Sequence, residues 1–356
     1  MREENSTENL TINYTVRLTP DALVDPTWQF VMTMEFCFKY VVLGITIFGT
    51  AANGLTIYAL CAHNARDAKK RVINLLIINQ NLLDLTCCVL FVITISIQIS
   101  NIYLMGALGY FLCTIFVNNT AVHCTLYGSI INLVALTGER YLKVVHPFWS
   151  KKHLKRWVVY AAMVFAWIGG ILFVVPVSLL VSQVKDGSCF AHFEAQQSEL
   201  IYHSFSIAIF FFLPLIVFVY CYGHIVFVMR RQMRVMAGHT GEGSSQMSGS
   251  QAQSKRVKWN IIKTMIIVSV AYIICWSPMN VLHLYEITVG PTIYAVAALY
   301  PALFLIYLYI CMNPFIYGLK HEGVKQELAR LMNCCKSNEV GDWSGNRSSN
   351  RAGGTK

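Results

Sequence analysis

Seven long apolar runs alternate with polar stretches along this chain of 356 residues. Each run is longer than the roughly twenty residues that an α-helix needs to cross a bilayer. Backbone polar groups in lipid must be satisfied within the segment, so we expect the separate runs to be helices. The runs lie at 37–62, 72–98, 110–136, 157–182, 202–229, 261–284 and 293–318. The pattern predicts an all-α membrane protein with a bundle of seven transmembrane helices.

The polar ends of the chain divide it into three parts. Residues 1–35 are expected to form an extracellular tail, 36–335 the membrane domain, and 336–356 a disordered cytoplasmic tail. The first tail contains no apolar signal peptide, so we expect the first span to direct its own insertion. It does contain three Asn-X-Thr or Asn-X-Ser sequons, which predict glycosylation of an extracellular segment. The asparagines of these sequons are Asn5, Asn9 and Asn13.

The positive charges are distributed unevenly between the two sides of the predicted bundle. Only 13% of the residues are charged, about half of what a soluble domain carries, and the net charge is +10. Segments 1–39, 98–110, 183–201 and 285–292 together hold four of the 28 lysines and arginines. The positive-inside rule then places the N-terminus outside and the C-terminus in the cytoplasm, as in a multi-pass plasma-membrane protein. We attribute the charge to this rule and to acidic lipid headgroups, not to nucleic-acid binding.

Three of the twelve cysteines lie on or near the predicted outer side: Cys37, Cys113 and Cys189. Cys113 opens the third span and Cys189 lies in an outer loop, so these two are the disulfide candidates in an oxidising compartment. No CxxC or HExxH spacing occurs, and we predict neither a metal centre nor a redox site.

A short amphipathic segment follows the last span. Val324, Leu328 and Leu331 recur at helical spacing between charged residues, which predicts a membrane-surface helix over 319–333. The adjacent cysteines that follow it, Cys334 and Cys335, are candidates for palmitoylation.

Polar residues inside the spans indicate a possible ion site. Asp84 is the only acid in the predicted membrane interior, and an intramembrane carboxylate needs partners or a proton. Hydroxyl and amide groups on neighbouring helices would give oxygen ligands for a small cation such as sodium. A structural hydrogen-bond network around a protonated Asp84 explains the same residues, and the sequence leaves both interpretations open.

Six motifs occur in one order on successive spans. They are NLLDL at 81–85, GERY at 138–141, Trp167, FFLP…CY ending at Tyr222, CWSP at 275–278 and NPFIY at 313–317. Together they resemble the rhodopsin-like (class A) G-protein-coupled receptors over residues 36–335. Within that family the present chain is similar to peptide receptors or to melatonin receptors, without a choice between them.

The resemblance implies roles for particular residues. The switch that meets a heterotrimeric G protein would comprise Glu139, Arg140, Tyr141, Tyr222 and Tyr317. An activation hinge would comprise Trp276, Pro278, Pro214, Asn313 and Pro314. A sodium ion at rest would be held by Asp84, Ser129 and Asn313. The family also supports a Cys113–Cys189 disulfide, and arrestin and a receptor kinase as further partners.

Three positions depart from the family pattern. Cys113 stands 27 residues before Arg140, more than is usual, so we expect a bulge near the start of the third helix. Lys258 stands where many relatives have an acid that pairs with the triplet arginine, and fewer resting contacts would raise basal activity. Tyr272 replaces the phenylalanine that usually precedes the tryptophan by one turn.

The residue types in the outer halves of the helices limit the ligand. Val122 stands where amine receptors carry an aspartate, and Tyr307 where photopigments carry the lysine that holds retinal. Acidic outer loops favour a basic peptide, whereas aromatic walls also suit a small molecule such as a melatonin-like indole. The predicted pocket residues are His123, Tyr127, His203, His283, Glu286 and Tyr307.

Other classes of function fit the sequence less well. A transporter predicts paired repeats with broken helices, and no internal repeat is visible. An enzyme predicts a cluster of nucleophile, base or metal ligands, which the sequence lacks. We therefore predict a receptor that binds an extracellular ligand, with a peptide favoured, and that has no cofactor apart from the sodium considered above.

Overall fold

A computed structural model describes the chain as a bundle of helices over residues 26–66, 74–100, 102–238, 249–289, 292–320 and 324–331. Within these ranges, seven helical segments are long and apolar enough to cross a membrane, which confirms the predicted seven-helix bundle. Large apolar side chains such as Leu172 and Val219 are about two-thirds exposed, at 67% each. A surface of this kind suits lipid, because soluble proteins rarely expose contiguous apolar patches of large area.

Two of the spans are built from two helices joined by a π-helical turn. The helices are α1 (Pro26–Arg66), α2 (Leu75–Ile99), α3 (Gly106–Leu112), α4 (Thr120–Val145), α5 (Pro147–His153), α6 (Arg156–Val181), α7 (Gln196–Ile207), α8 (Leu213–Gly238), α9 (Gly249–Val289) and α10 (Ile293–Lys320). The π-helical turns are Cys113–Val117, after α3, and Ala208–Phe212, between α7 and α8.

Helix α4 lies at the centre of the bundle. It packs against α2, α6 and α8, while α1 packs against α2 and α10. The backbones of α4 and α6 come close together at Gly170 of α6. A side chain at this position would overlap the carbonyl oxygen of Cys124 on α4. Small residues allow such close contacts between helices in membranes. Side chains on α4 are therefore placed to meet partners from several spans.

The third span is irregular where the sequence predicted a bulge. The amide of Asn118 bonds the carbonyl of Cys113, five residues back, at 2.9 Å, which closes the π-helical turn. Asn119 then adopts a left-handed conformation, with φ of 56°, before α4 begins at Thr120. The turn and the left-handed residue absorb the extra residues between Cys113 and Arg140, so the expected bulge is present.

A β-hairpin follows α6 and was not predicted. Strands β1 (Ser182–Lys185) and β2 (Ser188–Ala191) pair antiparallel across Asp186 and Gly187, both with positive φ. Two positive φ angles define the type I′ turn, for which Asp-Gly is a favoured sequence. The hairpin carries Cys189, which forms a disulfide with Cys113 and confirms the predicted pair. We call this end of the bundle the disulfide end.

The first span begins earlier than the sequence predicted. Helix α1 starts at Pro26, so residues 26–35 of the predicted tail are helical and continue into the first span. Val31 packs against Tyr300 of α10, and the Tyr300 hydroxyl donates a hydrogen bond of 3.2 Å to Glu35. These contacts explain why the helix extends beyond the apolar run.

A short helix, α11 (residues 324–331), follows α10. Helix α10 continues to Lys320, so residues 319 and 320 belong to the last span and not to the predicted surface helix. Glu327 of α11 is buried and pairs with Arg66 at the end of α1. This ion pair holds α11 against the bundle end opposite the disulfide, which we call the switch end.

Candidate functional site

The charged pair near the end of α4 is buried. The side chains of Glu139 and Arg140 are 4% and 7% exposed, and Arg140 Nε lies 3.2 Å from Glu139 Oε2. Lys143, one helical turn further, pairs with the other carboxylate oxygen of Glu139. A buried charge is costly unless it is paired. Two cations of the same helix therefore share the Glu139 carboxylate, an arrangement that the sequence analysis did not anticipate.

Tyr222 of α8 lies beside this pair. Its hydroxyl is 3.0 Å from Thr137 Oγ1 of α4 and accepts a hydrogen bond of 3.4 Å from Ser269 of α9. Thr137 precedes Arg140 by three residues on α4, so this contact places Tyr222 on the same face of α4 as Arg140. The structure thus brings two of the predicted switch residues together, at a point where α4, α8 and α9 meet.

The remaining switch residues are placed differently. The hydroxyl of Tyr141 lies 3.1 Å from His224 Nδ1 of α8, so this residue contacts α8 rather than Arg140. Tyr317 lies on α10 and Lys258 on α9, but their side chains are outside the described part of the structure. Their predicted roles stay predictions.

The predicted hinge surrounds Trp276 of α9, which is buried next to Pro278. Its ring centroid lies 5.6 Å from that of Tyr272, whose hydroxyl donates to the backbone carbonyl of Phe210. In an α-helix the amide four residues later would bond that carbonyl, but Pro214 stands there and has no N–H. Tyr272 supplies the donor from a neighbouring helix, as buried backbone groups in lipid require. Tyrosine at this position therefore has a structural reason.

The three predicted sodium ligands meet in the middle of the bundle. Asp84 of α2 is fully buried. Ser129 Oγ of α4 donates to its Oδ1 at 2.9 Å, and Asn313 Nδ2 of α10 donates to its Oδ2 at 2.7 Å. Gln80 Nε2 adds a third donor, 3.4 Å from Oδ1. Pro314 follows Asn313 within α10.

This cluster fits a bare cation poorly. Hard cations bind oxygen lone pairs, whereas Ser129, Asn313 and Gln80 all direct hydrogen atoms at the carboxylate of Asp84. Asn313 Oδ1 is buried without a hydrogen-bond partner among the described residues, and it is an oxygen ligand that this arrangement leaves for an ion. The hydrogen-bond donors around Asp84 therefore do not fit the sodium ion that the resemblance implies.

Four of the predicted pocket residues lie near one another towards the disulfide end. The rings of His203 on α7 and His283 on α9 stack with their centroids 4.8 Å apart. His283 Nδ1 lies 3.6 Å from Glu286 Oε2, and both side chains are 25% exposed. His203 is also within electrostatic range of His123 on α4. An accessible carboxylate next to imidazole groups offers sites for a ligand with hydrogen-bond donors.

An aromatic cluster lies next to this group. Tyr127 of α4 contacts Phe210 and Phe173, with centroids 4.2 and 5.2 Å away, and its hydroxyl lies 2.9 Å from Ser206 Oγ. Tyr127 is one of the predicted pocket residues, and the structure adds these neighbours from α6, α7 and the second π-helical turn. Tyr307, the remaining predicted pocket residue, packs against Phe91 of α2, with centroids 4.1 Å apart, and its assignment to the pocket stays a prediction.

Several predicted modification sites lie outside the described residues. These are the glycosylation candidates Asn5, Asn9 and Asn13 and the palmitoylation candidates Cys334 and Cys335. In the part of the chain that the structure describes, no group of three or more His, Cys, Asp or Glu side chains is arranged to hold a metal ion.

Two residues of these sites were missed from the sequence although a signal existed. Lys143 follows Glu139 by four residues, the spacing at which opposite charges on a helix meet. Gln80 stands between two asparagines in an otherwise apolar run, and polar residues inside a span are expensive unless they are paired. In both cases the spacing was visible, but the partner was not.

Comparison with known proteins identifies the class. The profile of the seven-transmembrane receptors of the rhodopsin family matches residues 52–317, about three-quarters of the chain. The chain therefore belongs to the rhodopsin family of seven-transmembrane receptors, and it is a multi-pass membrane receptor rather than an enzyme.

The individual relatives share about a quarter of their residues with this chain. The chain is 27% identical to the substance-K receptor of Bos taurus over 82% of its own length and 74% of the relative's. It is 26% identical to the substance-K receptor of Homo sapiens over 87% and 75%. It is 25% identical to rhodopsin of Sminthopsis crassicaudata over 90% and 86%. Each of these similarities covers at least 82% of the present chain.

Proposed function

We propose that the protein binds an extracellular ligand, preferentially a peptide, and activates a heterotrimeric G protein through a rearrangement of helices around Arg140. The observation that carries this proposal is the buried Glu139–Arg140 pair beside Tyr222, where α4, α8 and α9 meet. Ionisable groups inside membrane proteins are expensive and usually functional. The distribution of lysine and arginine supports an external N-terminus, which would turn the switch end to the cytoplasm.

A peptide ligand is supported by two independent observations. Two of the relatives are receptors for substance K, which is a peptide. In this chain Glu286 is partly exposed towards the disulfide end, beside His283. A basic side chain of a peptide would be attracted to that carboxylate, and complementary charge both steers and selects a ligand.

The proposed mechanism is a shift between two packings of the bundle. At rest, Glu139 holds Arg140 along α4. A ligand that binds the active packing better shifts the population towards it, by no more than its differential affinity. Arg140 would then leave Glu139, turn towards Tyr222 and meet the G protein. By linkage, G-protein binding would tighten ligand binding by the same factor.

A small molecule such as a melatonin-like indole is the second candidate ligand. The aromatic cluster of Tyr127, Phe173 and Phe210 favours it, because a flat apolar ring packs well against such walls. A retinal chromophore held by the usual lysine is not proposed, since Tyr307 stands at that position and packs against Phe91. Membrane lipids, arrestin and a receptor kinase are proposed as further partners.

The decisive experiment measures G-protein activation in cells that express the full chain. Tissue extract is applied before and after protease treatment, to wild type and to Arg140→Ala at matched surface level. We expect wild type to respond and Arg140→Ala to lose at least nine-tenths of the response, about tenfold, because the residue that meets the G protein is gone. A response that protease destroys identifies a peptide, and one that survives identifies the small-molecule alternative.

Arg156→Ala is the matched control. Arg156 begins α6 and is exposed. Its removal takes one positive charge from the switch end of the bundle, as Arg140→Ala does, but leaves the buried pair intact. Wild-type signalling by Arg156→Ala together with loss in Arg140→Ala supports the proposal. Full signalling by Arg140→Ala would refute the proposed switch.

A further inference from the structure

A continuous chain of buried polar side chains connects α6 with α2 and α4. Trp167 Nε1 of α6 donates to Asn79 Oδ1 of α2 at 3.1 Å. Asn79 Nδ2 donates to Asn132 Oδ1 of α4 at 2.8 Å, and Asn132 Nδ2 donates back to Gln80 Oε1 of α2 at 2.8 Å. Asn79, Asn132 and Gln80 are at most 1% exposed. Polar groups buried this deeply are nearly always hydrogen-bonded, and these amides find their partners in one another.

The same chain continues from Gln80 to the carboxylate of Asp84. Gln80 Nε2 donates to Ser129 Oγ and lies 3.4 Å from Asp84 Oδ1. Ser129 Oγ in turn donates to Asp84 Oδ1, and Asn313 donates to Oδ2 from α10. Gln80 is thus the residue that joins the Asp84 cluster to the amides of α2 and α4.

The direction of each hydrogen bond in this series is fixed by the two groups at its ends, the indole of Trp167 and the carboxylate of Asp84. The indole of Trp167 can only donate, so it requires the oxygen of Asn79, and the Asn79 nitrogen then faces Asn132. Asn132 must in turn direct its nitrogen at Gln80, and that nitrogen also donates to the carbonyl of Leu76 at 3.0 Å. The orientation of Gln80 is thereby fixed, with its oxygen towards Asn132 and its N–H groups towards Ser129 and the carboxylate.

Reversing the Gln80 amide alone would be costly. Its oxygen would then face the acceptor oxygens of Asp84, and its N–H groups would face the N–H groups of Asn132. Each unmade bond of a buried polar group costs about 1–3 kcal/mol. The donor end of Gln80 therefore stays directed at Ser129 and the carboxylate of Asp84.

We infer that Gln80 closes the Asp84 site to sodium in this receptor. The carboxylate is satisfied by three hydrogen-bond donors, from Gln80, Ser129 and Asn313, in place of an ion. A leucine at position 80 has a similar volume but no donor. It would leave Ser129 and one side of Asp84 with free lone pairs, which is the environment that a hard cation needs. Gln80 is thus the residue that determines which partner the carboxylate takes.

The test measures the thermal unfolding midpoint of the purified full chain in sodium chloride and in N-methyl-D-glucamine chloride at equal ionic strength. For wild type we expect equal midpoints, because the organic cation is too large to enter and sodium has no site. For Gln80→Leu we expect a midpoint higher by about 3 °C in sodium, because a ligand that binds only the folded state stabilises it. The double variant Gln80→Leu/Asp84→Asn should lose that rise, which would place the ion at Asp84.

Two results would overturn the inference. One is a sodium-dependent rise in wild type that disappears in Asp84→Asn. The other is a Gln80→Leu protein that folds and does not respond to sodium. If Gln80→Leu does not fold, Gln80→Met takes its place, since methionine fills a similar volume and adapts to irregular gaps. None of these measurements needs a ligand or a G protein, so their failure would leave the proposed function untouched.

Discussion

Asp84 and Glu139 are both buried acids on membrane-spanning helices, yet they are held in opposite ways. The carboxylate of Asp84 accepts hydrogen bonds from neutral groups on three helices: Gln80 of its own α2, Ser129 of α4 and Asn313 of α10. The carboxylate of Glu139 pairs with two cations, both on its own helix α4. One acid joins helices, and the other does not.

This difference indicates which part of the bundle is fixed and which part can move. Helices α4 and α10 cannot separate at Asp84 without breaking short bonds between buried groups, and such bonds are costly to leave unmade. At the switch end, the Glu139–Arg140 pair lies within one helix and joins no second helix, and Lys143 also pairs with the carboxylate. We therefore expect changes at Asp84 to act mainly on stability and changes at Glu139 mainly on signalling.

The largest effect is expected for Asp84→Ala. This change removes the acceptor for three buried donors, each worth about 1–3 kcal/mol, so the free energy of unfolding should fall by about 3 kcal/mol or more. The midpoint of thermal unfolding of the purified protein should fall by about 5 °C or more.

Asp84→Asn is the matched control for this prediction. It keeps the size of the side chain and one acceptor oxygen. Its midpoint of thermal unfolding should therefore fall by about half as much as that of Asp84→Ala. Equal midpoints for Asp84→Ala and wild type would show that the cluster does not hold the helices together, and the contrast with Glu139 would then disappear.

A smaller effect, of a different kind, is expected for Glu139→Gln. The amide has nearly the same shape as the carboxylate but no charge, so it no longer holds Arg140 in the resting packing. A change of about 1 kcal/mol between two packings corresponds to a roughly fivefold rise of basal G-protein activation. Basal signalling without ligand, normalised to surface expression, checks this prediction.

Glu199→Gln serves as its control. Glu199 is an exposed acid in the first turn of α7 and lies far from Glu139 in the sequence. Neutralising it should therefore leave basal signalling unchanged. If both variants raise basal signalling equally, the effect comes from net charge and not from the Glu139–Arg140 pair. A thermal midpoint for Glu139→Gln as low as that of Asp84→Ala would also contradict the comparison.

The sequence predicts the parts of the molecule that depend on one segment at a time. The seven spans follow from the length of the apolar runs, because a helix is the structure that satisfies the backbone in lipid. Cys113 and Cys189 are found because few cysteines lie on the outer side, and the Glu139–Arg140 pair because its two members are adjacent. The Asp-Gly turn of the hairpin was equally local, and its signal was overlooked.

The parts that were not predicted depend on how helices are rotated against each other. Gln80 meets Asn132 and Ser129 only because α2 and α4 present the corresponding faces to each other. Tyr307 meets Phe91 only because α10 presents that face to α2. The early start of α1 likewise depends on contacts with α10, as between Val31 and Tyr300, which no pattern in the first 35 residues reveals.

The smallest effect is expected for Lys143→Ala, and its sign separates two interpretations of the Glu139 cluster. Lys143 is 30% exposed, and an exposed ion pair four residues apart on a helix contributes about 0.3–0.5 kcal/mol, so the change should be about twofold. If Lys143 competes with Arg140 for one carboxylate, its removal strengthens the Glu139–Arg140 pair and lowers basal signalling, opposite to Glu139→Gln. If Lys143 instead only keeps Glu139 in place, its removal frees Arg140 and basal signalling rises. We expect a fall, with Lys151→Ala, an exposed lysine of α5, unchanged beside it.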